Sequence, residues 1–336
     1  MVIKMKAIAY KNTSHSPTLH DIEIDQPMLK EHDLLVSVQA ISINPVDYKI
    51  RENVTPKEQQ WKILGWDAAG IVTAIGSEVS NFKIGDEVWY AGDLTRQGTN
   101  AEFHAVDERI VGRKPHNLSF AEAASLPLTA ITAWEMLFER LEVKNSKPTD
   151  TILIIGASGG VGSIAIQLLK AKTDLKIIAT ASTPKSRAWL QELGVDGVID
   201  YNQPFAEQLQ THQCVVPKYV FSTSHSEDYL QQIAEIIAPQ GKFGLIDDPA
   251  SLNINAFKTK SVSIHWEFMF TRSMYQTEDQ YKQGELLNEL ATLVEQKQIG
   301  PTLVETFSPI NANNIQKAHQ LLKEGHQHGK IVISAQ

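Results

Sequence analysis

Apolar and polar residues follow two different rhythms along this chain. Between residues 34 and 43, Leu-Leu-Val-Ser-Val-Gln-Ala-Ile-Ser-Ile runs close to the alternation of a half-buried strand. Further strands are predicted over Ala68 to Ile75, Ile84 to Trp89 and Ala101 to Val106, separated by Gly, Asn and Ser turns. Such a series suggests a compact, barrel-like β lobe. Ser119-Phe-Ala-Glu122 has the form of a capping box, and the stretch from Leu126 predicts a long helix ending near Leu141 that bridges two lobes. From residue 151 the rhythm changes. Short apolar runs at 152–155, 176–181, 197–200, 215–222, 242–246 and 261–266 alternate with helical stretches, as in a doubly wound parallel sheet. After Met274 come a polar helix, a strand near Thr302 to Phe307, a helix near Ile315 to Lys323 and a strand from Lys330 to Ser334. The expected fold class is α/β, a β-rich lobe joined to a doubly wound cofactor lobe.

The sharpest chemical signal sits where the rhythm changes. Thr151-Ile-Leu-Ile-Ile passes through Gly156-Ala157-Ser158-Gly159-Gly160-Val161-Gly162 into a helical pattern that keeps Ile164, Gln167, Leu168 and Ala171 on one face. Strand, glycines and helix in that order form a dinucleotide cradle. Glycine lets backbone approach the pyrophosphate, and the helix start offers unpaired N–H groups to an anion. NAD-binding proteins place an acid about 20 residues downstream, at the end of the second strand. Here that segment reads Lys176-Ile-Ile-Ala-Thr-Ala-Ser182-Thr-Pro-Lys185-Ser-Arg187, a hydroxyl and two cations without an acid. The reading favours NADPH over NADH, although each cation alone also fits a solvated first turn.

Composition narrows the function class. The chain has 336 residues, 42% of them hydrophobic, enough for two lobes. A net charge of −8 with scattered basic residues argues against nucleic acid as a partner. No apolar run approaches the ~18 residues of a membrane span, and the first residues lack the apolar core of a signal peptide, so a cytoplasmic protein is expected. Cys214 is the single cysteine, which leaves no intrachain disulfide and no cysteine cluster for a metal. His326-Gln-His328 is the one close histidine pair and reads as a solvated turn.

Five motifs carry a resemblance to a known family. They are Asn44-Pro-Val-Asp-Tyr48-Lys, Gly65-Trp-Asp-Ala-Ala-Gly70-Ile-Val, Ile84-Gly-Asp-Glu-Val, Leu126-Pro-Leu-Thr129-Ala-Ile-Thr132-Ala and the glycine cluster from Gly156. In this order, over about three hundred residues, the chain resembles the medium-chain dehydrogenase/reductase superfamily, specifically its quinone-oxidoreductase-like branch. Ser263 to Met274 is similar to proteins labelled zinc-type alcohol dehydrogenase-like. The resemblance implies a GroES-like catalytic domain over 1–127 and 271–336 around a Rossmann domain over 128–270. It also implies a homodimer or larger homo-oligomer. In zinc-containing members the relevant Cys and His sit where this chain has Asn44 and Trp66, neither a good zinc ligand, so no metal is expected.

Without a Lewis acid, hydrogen-bond donors must stabilise the oxyanion formed by hydride transfer. Quinones and α,β-unsaturated carbonyls then become the favoured substrates, because they delocalise the incoming charge. Tyr48, placed by the motif at the end of a barrel strand, is the candidate donor; packing at a strand end is the alternative. Asn44 and Thr129 resemble family positions that face nicotinamide and substrate, with a turn before Pro45 as the alternative for Asn44. Tyr201 matches a position near the adenosine 2′-phosphate, or is an exposed Tyr after the third strand. Trp66, Trp266, Phe268 and Phe270 suit either a pocket wall for flat substrates or core packing. Asp67 is expected to support its lobe rather than move protons. A non-catalytic NADPH-binding protein and a zinc alcohol dehydrogenase remain the other classes.

Overall fold

A computed structural model describes residues 3–11, 17–58, 60–213, 216–325 and 328–335. Cys214, His326 and the start of the expected strand at 215 lie outside the described residues. The chain forms two compact units, Met1–Ile131 with Phe270–Gln336, and Thr132–Met269.

The first unit opens with β1 (Lys4–Lys11), β2 (His20–Asp25) and β3 (Asp33–Ile43). Next come α1 (Pro45–Asn53), β4 (Trp61–Ile63), β5 (Ala68–Ile75), β6 (Glu87–Tyr90), β7 (Phe103–Asp107), β8 (Val111–Arg113) and α2 (Phe120–Ala124). The chain leaves through α3 (Pro127–Trp134), within which the division between units falls. The second unit holds β9 (Thr151–Ile155), α4 (Gly160–Lys172), β10 (Lys176–Thr180), α5 (Pro184–Glu192), β11 (Gly197–Ile199) and α6 (Phe205–Thr211). It is completed by β12 (Tyr219–Ser222), α7 (Ser226–Ile236), β13 (Lys242–Leu245) and β14 (Ser263–Trp266). The chain then returns to the first unit with α8 (Thr271–Tyr275), α9 (Lys282–Glu295), β15 (Leu303–Phe307), α10 (Ala312–Lys323) and β16 (Lys330–Ser334).

In the first unit β2, β1 and β4 make a small antiparallel sheet. A second sheet runs β15-β16-β3-β5-β6-β8, with β7 also on β3, and is the GroES-like part of the fold. The eleven-residue β3 is long enough to pair with β5, β7 and β16 at once, so the late strand β16 closes a sheet begun near the start of the chain. In the second unit all strand pairs are parallel, in the order β11-β10-β9-β12-β13-β14. That order reverses direction between β9 and β12, which is the switch point where Rossmann sheets bind ligands outside the carboxyl ends of their strands. Strand β9 is buried along its whole length, as its uninterrupted apolar run requires.

Several boundaries differ from the sequence pattern for identifiable reasons. The strand expected from Ile84 begins only at Glu87, because Gly85 adopts φ +94° and Lys83 to Asp86 close a turn in which the Asp86 N–H donates to the Lys83 carbonyl. Ala101 makes an isolated bridge with Ala7, and the regular strand starts at Phe103. The expected long helix changes its hydrogen bonding midway, continuing after Trp134 as a π-helical turn over Glu135–Arg140. Tyr48 lies in helix α1 rather than at a strand end, with Pro45 as the helix-opening residue. No described helix is long and apolar enough to cross a membrane.

Candidate functional site

The candidate residues fall into two groups, one in each unit. In the second unit the sheet delivers β9 into the turn at Gly156, where φ is +73°. A Cβ there would come within 2.3 Å of Thr223 Oγ1 and 2.7 Å of Ser224 Oγ, so glycine is required by both conformation and space. The Gly156 N–H donates to Thr180 Oγ1 at 3.2 Å, and its carbonyl accepts from Gly159 N–H at 3.2 Å and from the Thr223 hydroxyl at 3.1 Å. Ala157 is buried, and the Ser158 carbonyl accepts from Ser163 Oγ at 3.2 Å. Gly159 caps α4 without any side-chain bond, and Gly160 and Val161 form its first turn. The first N–H groups of α4 thus keep their donor capacity for an anion. Gly162 has a packing reason instead, since its Cβ would lie 2.4 to 2.6 Å from the Ala157 backbone.

Ser182 follows β10, and its hydroxyl donates to the Tyr201 hydroxyl at 2.5 Å, which brings together two residues 19 apart in sequence. Arg187 stands in α5 with its guanidinium 3.6 Å from Asp200, the residue before Tyr201. Lys185 is exposed in the first turn of α5. Sequence reasoning missed Asp200: no acid follows the second strand, but the parallel sheet sets the end of the third strand beside it and supplies one to Arg187. Two hydroxyls, a cation paired with an acid, and an exposed lysine thus gather beyond the carboxyl ends of β10 and β11.

In the first unit a buried polar cluster joins four elements. Asn44 precedes α1 and its backbone N–H donates to Asp47 Oδ2 at 2.6 Å, which fixes the helix start. The Asn44 amide nitrogen donates to Asp67 Oδ2 at 3.1 Å and reaches the Ser42 carbonyl at 3.4 Å, while its oxygen accepts from Lys330. Lys330, on β16, also donates to the Ile43 carbonyl at 3.1 Å and to Asp67 Oδ2 at 3.2 Å. Asp67 Oδ1 accepts the Leu128 N–H at 3.1 Å, at the start of α3. All of these side chains are buried. Burial raises Asp67 to about 6 against the lowering effect of Lys330, raises Asp47 to about 7, and lowers Lys330. Asp67 thus ties together Asn44, Lys330 and the Leu128 backbone. Asn44 differs from expectation: its amide protons are engaged inside the cluster and are not presented to a substrate.

Tyr48, half-buried on α1, packs edge-on against His319 of α10 at 6.5 Å between ring centroids, with Lys323 Nζ 5.6 Å from its ring. Among the described residues its hydroxyl makes no hydrogen bond. Thr129 is buried in α3, and its hydroxyl donates to the Leu126 carbonyl at 3.1 Å. Trp66 and Phe270 pack edge-on at 6.3 Å in the core, with Trp66 fully buried and its indole N–H donating to the Asp93 carbonyl at 3.2 Å. Buried faces offer nothing to a substrate, so core packing accounts for this pair. Trp266 and Phe268 are about half exposed and keep their apolar faces accessible.

Comparison with known proteins places the chain. Residues 30–132 match the alcohol dehydrogenase GroES-like domain, and residues 193–333 match the zinc-binding dehydrogenase family. A zinc-type alcohol dehydrogenase-like protein of Staphylococcus aureus is 38% identical over 92% of both chains. The 2-methylene-furan-3-one reductase of Solanum lycopersicum is 31% identical over 98% of this chain and 79% of its own length. Among solved structures, a candidate zinc-dependent alcohol dehydrogenase of Rhizobium etli is 50% identical over 99% of both chains, with a TM-score of 0.95. The class defined by this fold and cradle is a dinucleotide-dependent oxidoreductase. The chain belongs to the medium-chain dehydrogenase/reductase superfamily, alongside its zinc-type alcohol dehydrogenase-like members.

The zinc in those relatives' names does not fit the residues present here. Asn44 is already held by Lys330 and Asp67, Trp66 has no lone pair to give, and the ammonium of Lys330 already balances the buried carboxylate. A dication beside that ammonium would meet repulsion in a buried site. Among the described residues no group of three or more His, Cys, Asp or Glu side chains is placed to hold a metal.

Proposed function

We propose that the protein is a zinc-independent, NADPH-dependent reductase of quinones or α,β-unsaturated carbonyls, acting in the cytoplasm as a homodimer or larger homo-oligomer. The observation that carries this reading is Lys330, whose ammonium sits buried against Asn44 and Asp67 where zinc-containing relatives need ligands. Negative charge arising on a substrate oxygen must then be met by hydrogen-bond donors, which suits acceptors that spread charge as a quinolate or enolate. Bound NADPH supplies the hydride. Tyr48 is the donor of choice, because among the described residues its hydroxyl makes no hydrogen bond. It orients the substrate oxygen, and solvent protonates the product. Thr129 is assigned to the nicotinamide side, and Asn44 to holding the start of the helix that carries Tyr48. The cradle from Gly156 to Gly162 binds pyrophosphate, Ser182, Tyr201, Lys185 and Arg187 receive the 2′-phosphate, and Trp266 and Phe268 offer flat apolar faces. An enone reductase at 31% identity supports this substrate class.

The test is NADPH oxidation against a panel of quinones and 2-alkenals. Turnover is expected, with secondary alcohols poor in the oxidative direction. Tyr48→Phe should lower kcat by about 10² to 10³ at nearly unchanged NADPH affinity, the range for removing one oxyanion donor. NADPH binding without turnover of any conjugated acceptor would replace the reductase by a cofactor-binding protein.

A further inference from the structure

We propose that Lys330 is a positioning residue for the catalytic helices, a buried cation that holds the starts of α1 and α3 in one arrangement. This inference rests on the reductase reading above. Lys330 is 3% exposed on the last strand of the chain. Its three bonds run to the Ile43 carbonyl, to Asn44 Oδ1 and to Asp67 Oδ2. Each partner stands at a junction. Ile43 ends β3, Asn44 caps the helix of Tyr48, and Asp67 receives the Leu128 N–H at the start of the helix of Thr129. One ammonium therefore links β16 to both helix starts across 263 and 286 residues of sequence.

The chemistry of the cluster favours this role over plain stabilisation. A buried ion pair with several hydrogen bonds is often replaceable by apolar groups at little loss of stability. What it contributes is direction. Nζ has three donors, and three distinct acceptors in this structure take them. With Asp67 accepting on both oxygens, a shift of Lys330 moves the Asn44 amide and the Leu128 N–H together. Tyr48 lies one helical turn past Asn44, and Thr129 follows Leu128 directly, so both candidate catalytic groups inherit the displacement.

Lys330→Met alone leaves Asp67 buried without its cation and is expected to fold poorly. Lys330→Met/Asp67→Asn removes both charges and keeps an acceptor for Leu128, so it is the informative variant. In this variant folding and NADPH affinity should match the unaltered protein, whereas kcat for a quinone should fall by roughly 10- to 100-fold with KM changed much less, as expected for misplacement of about an ångström. The readout independent of turnover is the 13C resonance of the Tyr48 ring, assigned by its loss in Tyr48→Phe; it should shift in the double variant. An unmoved Tyr48 resonance in a folded double variant overturns the positioning role whatever the substrate. Unchanged kcat does so as well when the unaltered protein is active. If the unaltered protein turns over no acceptor, the reductase reading fails, and the Tyr48 resonance alone decides whether Lys330 positions the helix.

Discussion

Asp47 shows how a single buried residue couples this fold to pH. Its carboxyl is fully buried, accepts the Asn44 N–H, and titrates at about 7 because burial penalises its charged form more than its neighbours favour it. The folded protein thus holds a proton that an unfolded aspartate, with a pKa near 3.9, has already lost. Stability from this group is complete below about pH 4 and disappears as pH rises through 7. Asp47→Asn keeps an acceptor for the Asn44 N–H and removes the titration. The melting temperature of the variant relative to the unaltered protein should accordingly rise between pH 5 and pH 8, and a gap that stays constant or narrows would refute the assignment. The motif Asn44-Pro-Val-Asp47 is plain in the sequence, but the state of Asp47 is not. That state follows from burial, against which Lys330, bonded to Asp67 when strand β16 pairs with β3, acts in the lowering direction. A contact spanning 263 residues leaves no local pattern to read.

At the scale of elements, the cradle was legible because each part is local: an apolar run for β9, glycines for the turn, and an apolar face for α4. Its energetic requirement is testable by comparing two glycines with the same backbone constraint. Gly156 at φ +73° and Gly85 at φ +94° are both strained for other residues, by about 1–2 kcal/mol, but a Cβ on Gly85 would meet nothing within 4 Å. Gly85→Ala should cost only that strain. Gly156→Ala adds the clash with Thr223 and Ser224 and should be the more destabilising of the two, with weakened NADPH binding. Equal losses measured by chemical unfolding would mean that the close approach to Thr223 is not maintained. The elements misjudged from sequence share a cause. Ile84-Gly-Asp-Glu-Val-Trp has strand composition, yet Gly85 turns the chain before Glu87; Leu126 to Leu141 has unbroken helical composition, yet its hydrogen bonding changes register after Trp134. Composition specifies that a segment is ordered, and hydrogen-bond competition along the backbone specifies how.

For the whole molecule, cofactor choice is the property that joins sequence to function, and it can be read as a melting temperature. A ligand at 100 times its dissociation constant stabilises the folded state by about 2.7 kcal/mol, which corresponds to a rise on the order of 5–10 °C for a unit of this size. One charge-assisted contact to the 2′-phosphate contributes about 1.5 to 3 kcal/mol, so NADPH should bind roughly ten- to a hundredfold more tightly than NADH. At equal concentration NADPH should therefore give the larger rise. On the proposed reading Ser182 would set this preference, since its hydroxyl and that of Tyr201 meet just beyond β10, where an NAD-selective site would carry an acid. Ser182→Asp introduces that acid, repels the phosphate and accepts from a ribose hydroxyl, so it should shrink or invert the difference between the cofactors. The second charge nearby works the other way. Asp200 already lies 3.6 Å from Arg187 and partly offsets it, so Asp200→Asn should increase the advantage of NADPH. A chelator present throughout should change none of these melting temperatures, because Lys330 supplies the cation of the buried cluster. Equal shifts for NADPH and NADH in the unaltered protein would remove the 2′-phosphate assignment from Ser182, Tyr201, Lys185 and Arg187 together.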